Sequence, residues 1–183
     1  MTPVLETERL ILRPARIADA PAVQKYFNNW NVIKNMGAQV PWPYPDDGAE
    51  DFMKNSSLPR MAKGQAHVWA ITLKGADECV GIMEFRLEAN AEGHRGFWLA
   101  EHLWGKGYMS EAVAAVNDFV FDKLGYEEFI EANADWNTAS RSLKEKAGAV
   151  FVEAIDKPQP GGGTRKTEIW RVTRSGWKAF KAS

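Results

Sequence analysis

The apolar run Gly96-Phe97-Trp98-Leu99-Ala100 passes through His102-Leu103-Trp104-Gly105-Lys106-Gly107 into an amphipathic stretch over 108–123. A strand, a glycine turn and a helix N-terminus in direct succession constrain the fold more than anything else here, because they call for an α/β arrangement around the join. The turn has little side-chain bulk, so backbone N–H groups can point outward where the helix begins. Orphan amide donors and the positive end of the helix dipole then converge on one spot, which suits an anion. A nucleotide P-loop would need Ser or Thr directly after Gly-Lys, and Lys106 is followed by Gly107. A dinucleotide fingerprint would need three glycines and an acidic residue about twenty positions on. A compact loop for a pyrophosphate is what fits.

Hydrophobic periodicity sets the order of elements. Strands are expected over 9–13, 66–73, 79–87, 95–100, 129–134, 151–156 and 167–173. Helices are expected after Asp19 as far as 28, over 30–36, 46–56, 108–123 and 138–147, the last ended by Gly148 at C′. On the long helix Met109, Ala112, Val113, Val116, Phe119 and Val120 recur at three- and four-residue steps, a stripe that packs against a sheet. The proline- and glycine-rich segment 157–163 is expected to be mobile. At 183 residues, with no repeat or linker, the chain reads as one domain over 1–183. A net charge of −1 with interspersed signs gives no electrostatic case for nucleic acid or an anionic membrane. The single cysteine, Cys79, fits a reducing cytoplasm, and no Cys/His cluster points to a metal.

Longer motifs carry a resemblance. Trp104-Gly105-Lys106-Gly107-Tyr108-Met109-Ser110-Glu111-Ala112 is similar to the coenzyme A loop of the GNAT acetyltransferases, in the form typical of their RimJ/RimL-type branch. Asn137-Thr138-Ala139-Ser140, followed by Lys146 and Gly148, resembles that branch's second motif, Asn-x-x-Ser-x-x-x-x-x-Lys-x-Gly. Thr7-Glu8-Arg9-Leu10-Ile11-Leu12-Arg13-Pro14 resembles its opening, and Val172 to Trp177 its closing segment. The resemblance implies an α/β (α+β) fold with a mixed, mostly antiparallel sheet flanked by helices, and a splayed parallel strand pair holding the coenzyme A arm. It implies acetyl-CoA as co-substrate, no metal, and direct acetyl transfer to a primary amine, by family a peptide or protein N-terminus. Backbone groups of Trp98, Leu99 and Ala100 would pair with the arm. The pyrophosphate would lie on the amides of Trp104, Gly105, Lys106, Gly107, Tyr108 and Met109. Asn137 would contact the arm and cap the following helix. Ser140 would lie near the thioester sulfur and protonate the departing thiolate.

A general base is harder to name. Strand alternation puts Glu84 on the face shared with Val80 and Ile82, where a carboxylate can accept a proton directly or through water, or can simply pair with Arg86 or Arg95. Trp30, Trp42 and Tyr44 are candidate walls of an acceptor site, Trp42 and Tyr44 because they stand in the stiff Val40-Pro41-Trp42-Pro43-Tyr44-Pro45. Two departures from the branch pattern stand out. His102 replaces the usual Gln or Arg, and His94-Arg95 occupies a region where many relatives carry Glu. Two rival functions remain: a small-molecule amine N-acetyltransferase, and an acyl-CoA-binding regulator without turnover. The chain would act as a monomer or homodimer.

Overall fold

Eight strands hydrogen-bond into one sheet in the computed structural model, which describes residues 1–90 and 92–183. Along the chain these are β1 (Leu5–Glu6), β2 (Leu10–Pro14), β3 (Ala66–Leu73), β4 (Gly81–Asn90), β5 (Gly93–Leu99), β6 (Glu128–Ala134), β7 (Val150–Pro158) and β8 (Thr164–Thr173). Their order across the sheet is β1-β2-β3-β4-β5-β6-β8-β7. Helices are α1 (Ala20–Phe27), α2 (Trp30–Ile33), α3 (Gly48–Phe52), α4 (Leu58–Ala62), α5 (Tyr108–Asp118), α6 (Thr138–Lys146) and α7 (Arg174–Ala182). Among the described residues, no helix is long and apolar enough to cross a membrane.

β3 shows why both faces are covered. Its middle is buried without interruption, so its side chains alternate between two cores. Trp69 and Ile71 pack with Val113, Val116 and Val120 of the long helix. Val68 and Ala70 pack with Val23, Phe27, Val32 and Ile33 of α1 and α2. The stripe expected on the long helix therefore does meet the sheet, and a widened turn at Phe119–Lys123 carries that helix to the expected end.

The sheet opens in the middle. β5 and β6 share one registered pair, Gly93↔Glu131, of antiparallel sense. The expected splay is present, but the expected parallel ladder is not formed. Two features shape the contact at this pair. A Cβ on Gly93 would stand 2.4 Å from the Ile130 carbonyl oxygen, so only glycine allows this approach. Next to it the His94 ring, not a backbone carbonyl, accepts from the Ile130 amide at 3.1 Å. Beyond that point the C-terminal halves of both strands border a cleft, with Phe97 and Trp98 on one side and Ala132 and Asn133 on the other.

Other differences from expectation have local causes. α1 does begin after Asp19, but Asp19 makes no side-chain cap bond to it; its buried carboxylate accepts from Arg13 at 2.6 Å and from the Arg16 amide at 2.9 Å. The helix expected over 46–56 begins at Gly48 and extends, through a wide turn at Met53–Ser57, into α4. Pro59 has no N–H to give to the preceding turn, which accounts for the irregularity there. The segment 157–163 contributes to a hairpin whose tip is closed by Gln159 and Gly162. The chain closes on α7, where Thr173 accepts from the Gly176 amide at 3.1 Å. Neither α7 nor the two-residue β1 is anticipated from periodicity.

Candidate active site

The glycine turn is fastened from three sides. Gly107 precedes α5 with φ at +82° and Gly105 has φ at +71°, a region other residues rarely adopt. Glu111, in the first turn of α5, accepts from the Arg9 amide at 2.7 Å, from Arg9 Nε at 2.8 Å and from the Thr7 hydroxyl. Arg9 also donates to the Lys106 carbonyl at 2.9 Å, and its guanidinium lies over the Tyr108 ring. The opening motif of the chain thus holds the turn. Trp104 Nε1 donates to the Leu99 carbonyl at 2.8 Å and ties the turn to the end of β5. Among the described residues, none accepts from the backbone amides of Gly105, Lys106, Gly107, Tyr108 or Met109. Open space lies where a Cβ on Gly105 would point. These unused donors at a helix N-terminus fit a pyrophosphate.

A cleft of about 420 Å³ runs from this turn along β5, lined by Trp98, Leu99, Trp104, Gly105, Gly107, Tyr108, Met109, Asn137 and Ser140. Ala100 and Lys106 fall outside that lining. The Ala100 amide donates to the Val80 carbonyl at 2.8 Å and so is not free for a ligand, and its carbonyl already accepts from the Leu103 amide. His102 packs its ring on Tyr26.

A second cavity, of about 380 Å³, lies between the sheet and the segment that carries α1 to α3, with Phe27, Met36, Pro41, Tyr44 and Ile82 on its walls. The two spaces share Asn35, Met36, Phe97, Trp98, Asn137 and Ser140. Ser140 thus stands where they join. Asn137 caps α6, its side chain accepting from the Ser140 amide at 3.1 Å. Glu84 lines the second cavity, buried, with Oε1 held by Arg60 at 2.8 Å and Oε2 by Arg86 at 3.1 Å. Tyr44 is buried against Phe27 and belongs to the same wall. Trp30 and Trp42 line neither space. Their rings pack on each other with centroids 5.1 Å apart, and the Gly161 turn of the β7–β8 hairpin lies against them.

Sequence reasoning missed the charged cluster beneath Ser140. Lys144 Nζ donates to Ser140 Oγ at 2.7 Å and is 3.6 Å from Glu131 Oε2. Arg95 pairs with the other Glu131 oxygen and donates to Asn117 Oδ1. Arg95, Glu131 and Lys144 are all nearly inaccessible, with side chains 1%, 1% and 2% exposed. The contacts to Glu131 are between charges, and neither of its oxygens holds a well-aligned hydrogen bond. Burial pushes Lys144 down to about 8 against the opposing pull of Glu131. One signal could have found it. Lys144 lies four residues after Ser140, hence on the same helix face, and β6 carries Glu131 between the inward-facing Phe129 and Asn133. Elsewhere, burial drives the Cys79 thiol up to about 12, which removes it as a nucleophile. His94 spends Nδ1 on Ile130, and burial lowers its pKa.

Comparison with known proteins agrees with this geometry. Residues 9–150 match the family model for the acetyltransferase (GNAT) domain. The Uncharacterized N-acetyltransferase p20 of Bacillus licheniformis is 32% identical over 142 residues, 76% of this chain and 78% of that protein. Among solved structures, RimL, the ribosomal L7/L12 alpha-N-protein acetyltransferase in complex with coenzyme A, superposes with TM-score 0.76 at 19% identity. It covers 93% of this chain and 98% of its own. The ribosomal-protein-S5-alanine acetyltransferase of Vibrio fischeri does so with TM-score 0.78 at 18% identity, covering 96% and 98%.

Proposed function

The chain belongs to the GNAT acetyltransferase family, and on that premise we propose that it moves an acetyl group from acetyl-CoA directly to a primary amine, the N-terminus of a peptide or protein. The observation that carries the reading is the joining of two spaces at Ser140, one under the unused amides of the glycine turn and one beneath Tyr44. Such a junction lets a thioester entering from one side meet an amine entering from the other, which converts a bimolecular encounter into a positioned one. In this reading the amides of Gly105 to Met109 take the pyrophosphate, and Trp98 and Leu99 flank the arm. Asn137 fixes the start of α6. The Ser140 hydroxyl gives its proton to the sulfur as the acetyl carbon leaves it. Glu84 receives the amine's proton through water, its own oxygens being held by Arg60 and Arg86.

The N-terminal acceptor draws support from the RimL-like neighbours. A second reading, a small amine, is favoured by the aromatic walls of the acceptor cavity, Phe27, Tyr44, Phe97 and Trp98, which suit a compact apolar body. Coenzyme A release with short peptides and small amines run in parallel separates the two. Turnover on peptides that vanishes when their N-terminus is blocked is the expected result. Turnover on small amines alone would replace the acceptor assignment, and none on either panel would overturn the acetyl-transfer reading.

A further inference from the structure

Resting on that reading, we infer that Lys144 is a positioning residue for acetyl transfer, holding the Ser140 hydroxyl with its proton free for the leaving sulfur and then replacing that proton. Lys144 follows Ser140 by one helical turn and donates to its Oγ at 2.7 Å. A protonated lysine has only donors, so this bond occupies an Oγ lone pair and leaves the hydroxyl's own hydrogen unspent. Ser140 faces the junction of the two spaces, and its hydrogen can point there.

The charge balance of the cluster supports the same role. A buried ammonium is costly without a partner. Here two cations, Arg95 and Lys144, surround a single anion, Glu131. From β5, the Phe97 ring lies 5.9 Å from Lys144 Nζ. From β8, Glu168 acts on Lys144 at longer range, while its own oxygens serve Arg141 and Asn133. From α5, Asn117 takes Arg95. One positive charge is therefore left over, and its path to the junction runs through Ser140. A thiolate forming there supplies the missing negative charge.

The step balances. The carbon–sulfur bond breaks and sulfur keeps the electron pair. Sulfur takes the Ser140 hydroxyl proton, and Oγ takes a proton from Nζ. Lys144, now neutral, lines the same cavity as Glu84 and recovers from it, through water, the one proton that Glu84 took from the amine as it became an amide. A group titrating at about 8 gives up a proton readily near neutral pH.

The test reads the thiol of coenzyme A itself, bound to the intact chain with no acceptor present, by difference absorbance of the thiolate. Cys79, near 12, stays silent below that range. In the wild type the bound thiol should ionise about one pH unit lower than in Lys144→Met, roughly a tenfold shift of the equilibrium. Lys144→Arg, which keeps the charge, should restore most of it. A folded Lys144→Met that binds coenzyme A with an unshifted thiol overturns the inference alone. Failure of the wild type to bind coenzyme A overturns the acetyl-transfer reading and the inference with it. If Lys144→Met does not fold, carbon-13 titration of wild-type lysines decides. Lys144 should hold its proton to higher pH with coenzyme A than with acetyl-CoA, which carries no thiolate, and equal midpoints overturn the inference.

Discussion

At Gly107 the backbone conformation and the proposed pyrophosphate site are the same feature. Its φ of +82° costs a non-glycine residue about 1–2 kcal/mol, and an added Cβ would stand 3.3 Å from Arg9. Gly107→Ala should therefore lower stability by about that amount and weaken acetyl-CoA modestly. Gly107→Glu adds an anion beside Arg9 where phosphate would sit, and calorimetry should find no binding to the folded variant. At Ser140, replacement by Ala should cost on the order of 10²-fold in kcat with little change in acetyl-CoA affinity, read by steady-state kinetics beside calorimetry. The turn was legible because glycine spacing is a local property. Lys144 was not, because a lysine near a helix end ordinarily reads as solvated, and its partner Glu131 comes from another element. Lys144 also carries a stability signature. It titrates near 10.5 in an unfolded chain and about 8 here, so between those values the unfolded state binds the extra proton. Raising pH through that window should stabilise the wild type relative to Lys144→Met, as chemical denaturation at pH 7.5 and about 10 would show.

Among the elements, α5 and the start of β2 are joined by Glu111, and that explains a pairing of motifs a hundred residues apart. Thr7 and Arg9 serve the helix that presents the glycine turn. Glu111→Ala removes a partly buried acceptor from three donors and should cost about 1–3 kcal/mol of stability. It should also raise the acetyl-CoA dissociation constant several-fold, since the turn loses its anchor; an unchanged constant would confine Glu111 to stability. The long helix and β3 were readable because one face or a whole strand is apolar, and the bounds of β3 match over 66–73. α7 escaped notice because its inward face rests on Trp177, whose ring nitrogen donates to Asp118 at 2.8 Å. The missing ladder between β5 and β6 escaped because it depends on where the His94 ring goes, which strand alternation does not specify.

For the whole molecule, the sheet separates two tasks. One core, under α5, builds the helix that presents the glycine turn. The other, under α1 to α3, builds the second cavity, proposed above for the acceptor, and the gap between β5 and β6 lets the two spaces communicate. The sequence suggests aromatics of the proline-rich loop as acceptor walls, and folding divides them. Tyr44 turns inward onto Phe27, while Trp42 turns outward onto Trp30. Periodicity cannot make that division, since the loop has no repeating pattern to follow. It makes a paired prediction. Tyr44→Leu keeps an apolar core residue but removes the ring and hydroxyl from the cavity wall. It should raise the acceptor KM roughly 10-fold, the order expected for about 1–2 kcal/mol of lost aromatic contact, with acetyl-CoA affinity unchanged. Trp42→Ala should leave both constants near wild type, because its ring lies outside both spaces. The reverse pattern, with Trp42 sensitive and Tyr44 silent, would place the acceptor on the outer face of the loop beside Trp30 and Gly161. It would favour an extended protein N-terminus crossing that surface over an amine enclosed beneath Tyr44.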